Sequence, residues 1–310
     1  MKLIFCGTPT FAVPCLEALL QASFDVQLVV SQPDRPKGRG LEMVPTPVKQ
    51  VALQHGIPVV QPEKIKVNPD FRSQLESIQP DAIIVVAYGR IIPQWMIDLP
   101  PLGNINVHAS LLPKYRGAAP IQWAIASGER VTGVTTMRID AGLDTGDMLL
   151  KAELPISPDD TSVTLSPRLS ALGAHLLVET LQRLEAGKLE ATPQDHSQAS
   201  LAPILKKEDG LIDFTRSASD IHNRLRGFQP WPGAFTIFRA KQFAIHAARP
   251  ADQSNLAPGE LAATGDSLLV GCGNHTALEL LEVQPEGKKR MAARDFANGY
   301  RPQAGERLGA

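Results

Sequence analysis

Lys2-Leu3-Ile4-Phe5-Cys6, then Phe11-Ala12-Val13-Pro14-Cys15-Leu16-Glu17-Ala18-Leu19-Leu20-Gln21-Ala22, then Val26-Gln27-Leu28-Val29-Val30-Ser31 set the architecture of this chain. The first run is short and lacks alternation, which reads as a strand buried on both faces. In the second, Val13, Leu16, Leu19 and Leu20 share one face, which reads as an amphipathic helix. A second apolar run then resumes. Strand, helix and strand in that order predict parallel strands joined by a crossover helix.

The same alternation continues outward. A Pro/Gly-rich loop spans Gln32 to Pro47, followed by a helix from Val48 to His55, a strand at Val59-Val60, a helix near Phe71 to Ile78 and a strand from Ala82 to Ala87. Ile105-Asn106-Val107-His108 reads as a further strand, with Asn106 and His108 near its carboxyl end. Val131 to Ile139 and Met148 to Leu154 read as a strand and its hairpin partner. Leucines at helical spacing predict a long helix from Thr161 to Leu184, closed by Gly187. These elements predict an α/β fold with a doubly wound, mostly parallel sheet, whose ligand edge is the carboxyl end of the strands.

The polar stretch from Glu190 to Pro203 has no periodic apolar face and reads as a linker. Beyond it the pattern changes to a short helix at Ala218 to Arg226. Brief strands follow at Ala234 to Phe238, Gln242 to His246, Leu268 to Gly271 and Ala277 to Val283. That spacing suggests a small β-barrel or sandwich. Two domains fit the length, since 310 residues is about twice the ~150-residue norm for one.

A formal charge of −1, from 31 Lys+Arg against 32 Asp+Glu, excludes a generic polycation that binds nucleic acid by bulk attraction. Any nucleic-acid contact has to be local. The three cysteines show no CxxC spacing, which argues against a disulfide framework and against a zinc knuckle and fits a reducing cytoplasm. The apolar run at the start ends at Gly7, too short for a signal segment, and no stretch approaches the ~18 apolar residues of a membrane span.

The turn Gly7-Thr8-Pro9-Thr10-Phe11 lacks the glycines of a dinucleotide-binding loop, and no P-loop, zincin or nucleophile-elbow motif is present. Chemistry concentrates instead in Asn106-Val107-His108-Ala109-Ser110-Leu111-Leu112-Pro113-Lys114-Tyr115-Arg116-Gly117. Strand alternation puts Asn106 and His108 on one face about 7 Å apart, so an amide and an imidazole can converge on one atom. A donor beside a titratable ring suits a developing oxyanion; a hydrogen-bonded edge histidine has the same appearance.

Asp140-Ala141-Gly142-Leu143-Asp144-Thr145-Gly146-Asp147 places three carboxylates in eight residues. The spacing is not that of a calcium loop, and an ordinary Asp-Gly hairpin also reads this way. Arg35, Lys37 and Arg39 make a basic loop, either a solvated surface or an arm for phosphates; Lys206-Lys207 carries the same two readings.

Together these residues resemble a known family. Gly7-Thr8-Pro9 with Phe11-Ala12-Val13-Pro14, the basic loop, Asn106-x-His108-x-Ser110-Leu111-Leu112-Pro113 with Tyr115-Arg116-Gly117, Asp140-x3-Asp144-Thr145-Gly146, and Trp231-Pro232-Gly233-Ala234 occur in order over nearly the whole chain. They closely resemble the methionyl-tRNA formyltransferases, within the folate-dependent formyltransferases.

The resemblance implies a Rossmann-like catalytic domain at residues 1–189, a linker at 190–205 and a smaller OB-like β-barrel domain at 206–310 that binds tRNA. It implies 10-formyltetrahydrofolate as co-substrate, no metal, initiator methionyl-tRNA as partner, and a cytoplasmic monomer with no membrane contact. Asn106, His108 and Asp144 are its expected catalytic residues, and Ser110, Leu111, Leu112 and Pro113 its folate-binding ones. Arg35, Lys37, Arg39, Lys206 and Lys207 are its expected tRNA contacts. A sister formyltransferase acting on a small amine, a hydrolase releasing the formyl group to water, and a non-catalytic tRNA-binding adaptor remain alternatives.

Overall fold

The computed structural model of the chain describes residues 1–37, 42–251, 254–265 and 267–309. Its opening elements are β1 (Lys2–Gly7), α1 (Val13–Gln21) and β2 (Asp25–Val30), with β1 buried from Leu3 onward. A short hairpin of β3 (Arg35–Lys37) and β4 (Glu42–Val44) occupies part of the stretch read as loop. Then come α2 (Pro47–Gln54), β5 (Val59–Val60), α3 (Pro69–Ile78), β6 (Ala82–Val86), α4 (Gln94–Ile97) and β7 (Asn104–His108). They are followed by α5 (Pro120–Ala126), β8 (Val131–Arg138), β9 (Met148–Pro155) and α6 (Ser162–Glu185).

Local chemistry starts the helices. The side chains of Thr46 and Asn68 accept the backbone N–H of Lys49 and Phe71, and a proline follows each cap in the first turn, where its missing N–H costs nothing. The strands form one seven-stranded sheet in the order β5-β2-β1-β6-β7-β8-β9. The pairs β2–β5, β1–β2, β1–β6 and β6–β7 are parallel, whereas β7–β8 and β8–β9 are antiparallel. The chain therefore winds from β1 to one edge and returns to the far side of β1 at β6, the reversal at which open α/β sheets open a crevice. Ile4, Leu28, Ile83, Phe71, Leu75 and Met96 pack into one cluster behind that edge.

Two compact units result. The first comprises residues 1–120, 131–155 and 166–203; the second comprises 121–130, 156–165 and 204–310. The later elements are α7 (Ala218–Gly227), β10 (Ala234–Phe238), β11 (Lys241–Ala251), β12 (Leu261–Thr264), β13 (Ser267–Cys272), β14 (Thr276–Pro285), β15 (Met291–Ala292) and α8 (Ala293–Tyr300). The strands pair antiparallel in the order β10-β11-β14-β13-β12, with β15 on β14. This is the separate, smaller β body expected after the α/β sheet.

Its core centres on Phe238, Phe243 and Phe296, whose ring centroids lie 4.8 to 5.9 Å apart. β11 outruns the strand expected at Gln242 to His246 because its register on β14 shifts between Ile245 and Ala248, which breaks the apolar alternation that a sequence pattern follows. Within the second unit, buried Arg226 donates to the Asp160 carbonyl (2.6 Å) and to Asn223 Oδ1 (2.7 Å), tying the segment 156–165 to α7. Among the described residues no helix is long and apolar enough to cross a membrane.

Candidate active site

Period-two alternation on β7 turns Asn104, Asn106 and His108 to one face. Asn104 is buried and donates to the carbonyls of Met96 (2.9 Å) and Ile97 (3.0 Å), which fixes the end of α4 to the strand. His108 is only 6% exposed, and its Nε2 lies 2.9 Å from the Tyr115 carbonyl. A carbonyl only accepts, so Nε2 carries a hydrogen and Nδ1 is the nitrogen turned toward the site. Nδ1 sits 3.7 Å from Asp144 Oδ2. The other carboxylate oxygen, Oδ1, lies 3.4 Å from Asn106 Nδ2, and Oδ2 also accepts the Gly117 N–H at 2.8 Å. The amide, the imidazole and one of the three loop carboxylates therefore converge at the carboxyl end of β7.

The two loops that deliver these groups are pinned from several sides. Thr135 on β8, fully buried, donates to the Ser110 carbonyl (2.7 Å) and accepts from the Leu112 N–H (3.1 Å). Ser110 donates its hydroxyl to the Lys114 carbonyl, and Lys151 donates to that of Leu112. In the acidic loop Asp140 accepts from Gly142 N–H and Thr145 Oγ1, so it closes the turn rather than joining Asp144. Asp144 itself has φ 51°, a left-handed position that Asp tolerates better than most residues. Gly146 admits no side chain, since a Cβ there would lie 2.0 Å from the Arg138 carbonyl.

Two contributors carried no signal of their own in the sequence. Residues 192–202, within the stretch read as linker, are hydrogen-bonded into the first unit. Thr192 pairs with Met148, the Arg116 N–H donates to the Ser200 carbonyl (2.8 Å), and Ala202 N–H donates back to the Arg116 carbonyl (2.7 Å). The approach is so close at Gly117 that a Cβ would sit 2.6 Å from the Ala202 carbonyl. Arg116 and Gln194, both buried, are joined side chain to side chain across it. Arg116 stood out only within the Tyr115-Arg116-Gly117 motif; Gln194 lies in a polar, aperiodic stretch and offered nothing to read.

The remaining expected residues fall elsewhere. Ser110 and Leu112 are buried, the latter against Met137 and Met148, while Leu111 and Pro113 are half-buried. Arg35 is exposed on β3, Lys37 ends that strand, and Arg39 lies outside the described residues. At the root of this hairpin Asp34 accepts from Gln61 Nε2 and Lys49 Nζ, both at 2.6 Å, and these bonds hold its carboxyl below the usual range. Lys206 and Lys207 are exposed in the second unit, the first capping and the second opening a short 3-10 turn. Among the described residues no His/Cys/Asp/Glu group is placed to hold a metal ion. Cys6 and Cys15 are fully buried, and burial pushes the Cys15 thiol up to about 12.

A half-buried amide donor, an oriented imidazole and a carboxylate at one point can stabilise a developing oxyanion and take up a proton, the equipment of an enzyme that passes a carbonyl-bearing group between substrates. Residues 1–181 match the model of the formyl transferases, and residues 204–301 match the model of the formyl transferase C-terminal domain. The chain belongs to the formyl transferase family, and its full-length relatives are methionyl-tRNA formyltransferases.

It is 71% identical over 309 residues to the methionyl-tRNA formyltransferase of Koribacter versatilis, covering 100% of this chain and 99% of that one. It is 60% identical over 311 residues to that of Acidobacterium capsulatum, covering 100% of both. Among solved structures it resembles an N-formyltransferase from Helicobacter canadensis in complex with folinic acid and dTDP-3-aminofucose. The TM-score is 0.67 at 20% identity, over 92% of this chain and 99% of that one, which is a likeness of fold.

Proposed function

We propose that this chain transfers the formyl group of 10-formyltetrahydrofolate to the α-amino group of methionine esterified to initiator tRNA, giving formylmethionyl-tRNA for translation initiation. The observation that carries the reading is the meeting of Asn106, His108 and Asp144 at the end of β7, in a chain of this family. As the amine nitrogen bonds to the formyl carbon, the formyl oxygen gains negative charge. Asn106 Nδ2 donates to it from a fixed, half-buried position. Because the Nε2 hydrogen of His108 is held by Tyr115, its donation to that oxygen comes from Nδ1 of the doubly protonated ring.

Asp144 takes the proton shed by the amine, and that proton passes on to the folate nitrogen as its bond to the formyl carbon breaks, so that Asp144 ends ionised again. A free α-amine titrates near ~7.7–8.0, so a neutral fraction exists without a strong base. In the loop after β7, Leu111 and Pro113 have surface to offer the folate, whereas the Ser110 hydroxyl and the Leu112 side chain serve the fold. Arg35, Lys37, Arg39, Lys206 and Lys207 contact tRNA phosphates on this reading, which positions the substrate without reading bases. The chain acts as a cytoplasmic monomer, its first unit transferring the formyl group and its residues from 206 onward holding the tRNA.

The test is to incubate the protein with formyl-labelled 10-formyltetrahydrofolate and, in separate arms, methionyl-tRNA, a small amine or buffer alone. The label should appear on the methionine of the tRNA. Label on the small amine with tRNA untouched, label in free formate, or no transfer in any arm would each overturn the proposal.

A further inference from the structure

Arg116 is given no part in the transfer chemistry proposed above, yet it is a guanidinium only 6% exposed whose side-chain hydrogen bonds go to Gln194 and His196. Its Nε and Nη2 donate to Gln194 Oε1 at 3.1 and 2.7 Å, and Nη2 also donates to His196 Nδ1 at 3.2 Å. Among the described residues no carboxylate pairs with it, and burying a cation without a counter-charge is unfavourable, so the arrangement calls for a compensating role. A guanidinium can only donate, so it fixes which end of the Gln194 amide faces it. The oxygen turns to Arg116 and the NH2 group is left facing the acidic loop. There Nε2 donates to the Asp144 carbonyl at 2.8 Å and to the Gly146 carbonyl at 2.7 Å.

The neighbours of Arg116 complete the arrangement. The Tyr115 carbonyl holds His108, and the Gly117 N–H holds the Asp144 carboxylate. A three-residue segment thus touches the imidazole with one backbone group and the carboxylate with another. Through its central side chain and Gln194 it also holds the backbone on which that carboxylate stands. Tyr115 (φ 61°) and Asp144 (φ 51°) are both left-handed, a conformation costly for Tyr and milder for Asp. Gln194 holds the carbonyl of Asp144 in that conformation.

We infer that Gln194, oriented by Arg116, is a positioning residue that clamps the Asp144–Gly146 turn and so sets the Asp144 carboxylate against His108. The inference rests on the proposed role of Asp144 as proton acceptor. Gln194 touches no reacting atom; it acts through Asp144 alone. Its removal lowers kcat and leaves substrate binding nearly unchanged.

The decisive variant is Gln194→Glu in the full chain, assayed for formyl transfer to methionyl-tRNA. Glu keeps an acceptor for Arg116, and a charged one, but loses both donors to the loop carbonyls. A role limited to anchoring residues 192–202 through Arg116 predicts activity near that of the parent. The clamp predicts a kcat loss of about 10- to 100-fold, the scale of misplacing a catalytic group by about 1 Å, with KM for both substrates moving less than about threefold. The loss should also vanish in an Asp144→Asn background, because residues that act as a unit are not additive.

Parental kcat in Gln194→Glu, a loss expressed wholly in KM, or full additivity with Asp144→Asn would each overturn the clamp. If Gln194→Glu does not fold, Arg116→Lys, which keeps the charge and loses the fork, should show the same kcat-selective and non-additive loss at smaller size. Its additivity with Asp144→Asn would be equally fatal. Failure of the underlying reading is separable: it would show as an Asp144→Asn protein that still turns over, whatever Gln194 does.

Discussion

Replacing Asp144 by Asn is the most informative single change at this site, because it alters charge and donor pattern while preserving volume. The carboxylate serves three neighbours: Oδ2 accepts the Gly117 N–H at 2.8 Å and stands 3.7 Å from His108 Nδ1, and Oδ1 stands 3.4 Å from Asn106 Nδ2. An asparagine must keep its oxygen toward Gly117, since the alternative sets its NH2 against an N–H. That choice points the new NH2 at the Asn106 NH2, donor against donor. Asn106 can relieve the clash only by turning its amide over, which withdraws the donor assigned to the oxyanion. The substitution therefore removes the proposed proton acceptor and disturbs the proposed oxyanion donor together.

Loss of a positioned acid–base group costs about 10²–10⁴ in rate, or about 2.7–5.4 kcal/mol of barrier at 1.36 kcal/mol per decade. The fold should suffer far less. A charge-assisted bond from Gly117 becomes a neutral one, a loss of about 1 kcal/mol, which shifts Tm by roughly 2–4 °C in a domain of this size. Single-turnover formyl transfer at saturating substrates measures the first effect and a thermal melt the second. Turnover within about threefold of the parent would refute the role of Asp144, and a collapse of Tm by tens of degrees would show that its contribution is to folding instead.

Thr135→Val leaves the Ser110 carbonyl and the Leu112 N–H without partners in a fully buried place, so it should cost about 2–4 kcal/mol in denaturant unfolding; a loss below about 1 kcal/mol would show that the loop finds other partners. Asp34 has its carboxyl lowered by bonds from Gln61 and Lys49, so its stabilisation is complete above the ordinary carboxylate range and is lost as pH falls through the lowered folded value. The Tm gap between the parent and Asp34→Asn should accordingly hold steady above about pH 5 and close toward about pH 2; a gap that persists in acid would exclude this linkage. Neutralising Arg35, Lys37 and Arg39 together should lower the slope of log affinity for tRNA against log salt by about 1 for each cation that touches a phosphate, and an unchanged slope would make the loop a plain solvated surface.

What the sequence revealed depended on periodicity. β1, α1 and β2 emerge within a residue or two of their expected bounds because a strand covered on both faces shows as an unbroken apolar run and a helix covered on one face shows as apolar residues at helical spacing. The hairpin of β3 and β4 has little sequence signature because it is built of Arg, Pro, Lys, Glu, Met and a single Val, and Glu42, Met43 and Val44 are all exposed, so no burial imposes alternation on β4. β12 and α8 leave little trace in the sequence because Leu261–Thr264 is too short and alanine-rich to read as a strand, and α8 carries Asn and Gly in its last turn. At the site, Asn106 and His108 were legible as a strand pair, and Asp144 entered through its loop motif. Gln194 was not legible, because its importance lies in two carbonyls distant in sequence that only the folded chain brings to it.

The hydrogen bonds that lace residues 192–202 onto Tyr115, Arg116 and Ala119 bear on how this protein can be cut. The two family models leave residues 182–203 uncovered, so a fragment designed from them would end the first half near 181. Such a fragment would strip the partners from Arg116, bare the Ala202-facing side of Gly117 and release the turn that carries Asp144. A chimera joined before Pro203 would inherit the proposed catalytic side chains without the brace that aligns them, and one joined after it would still part residues 121–130 and 156–165 from the rest of the second unit, to which they belong.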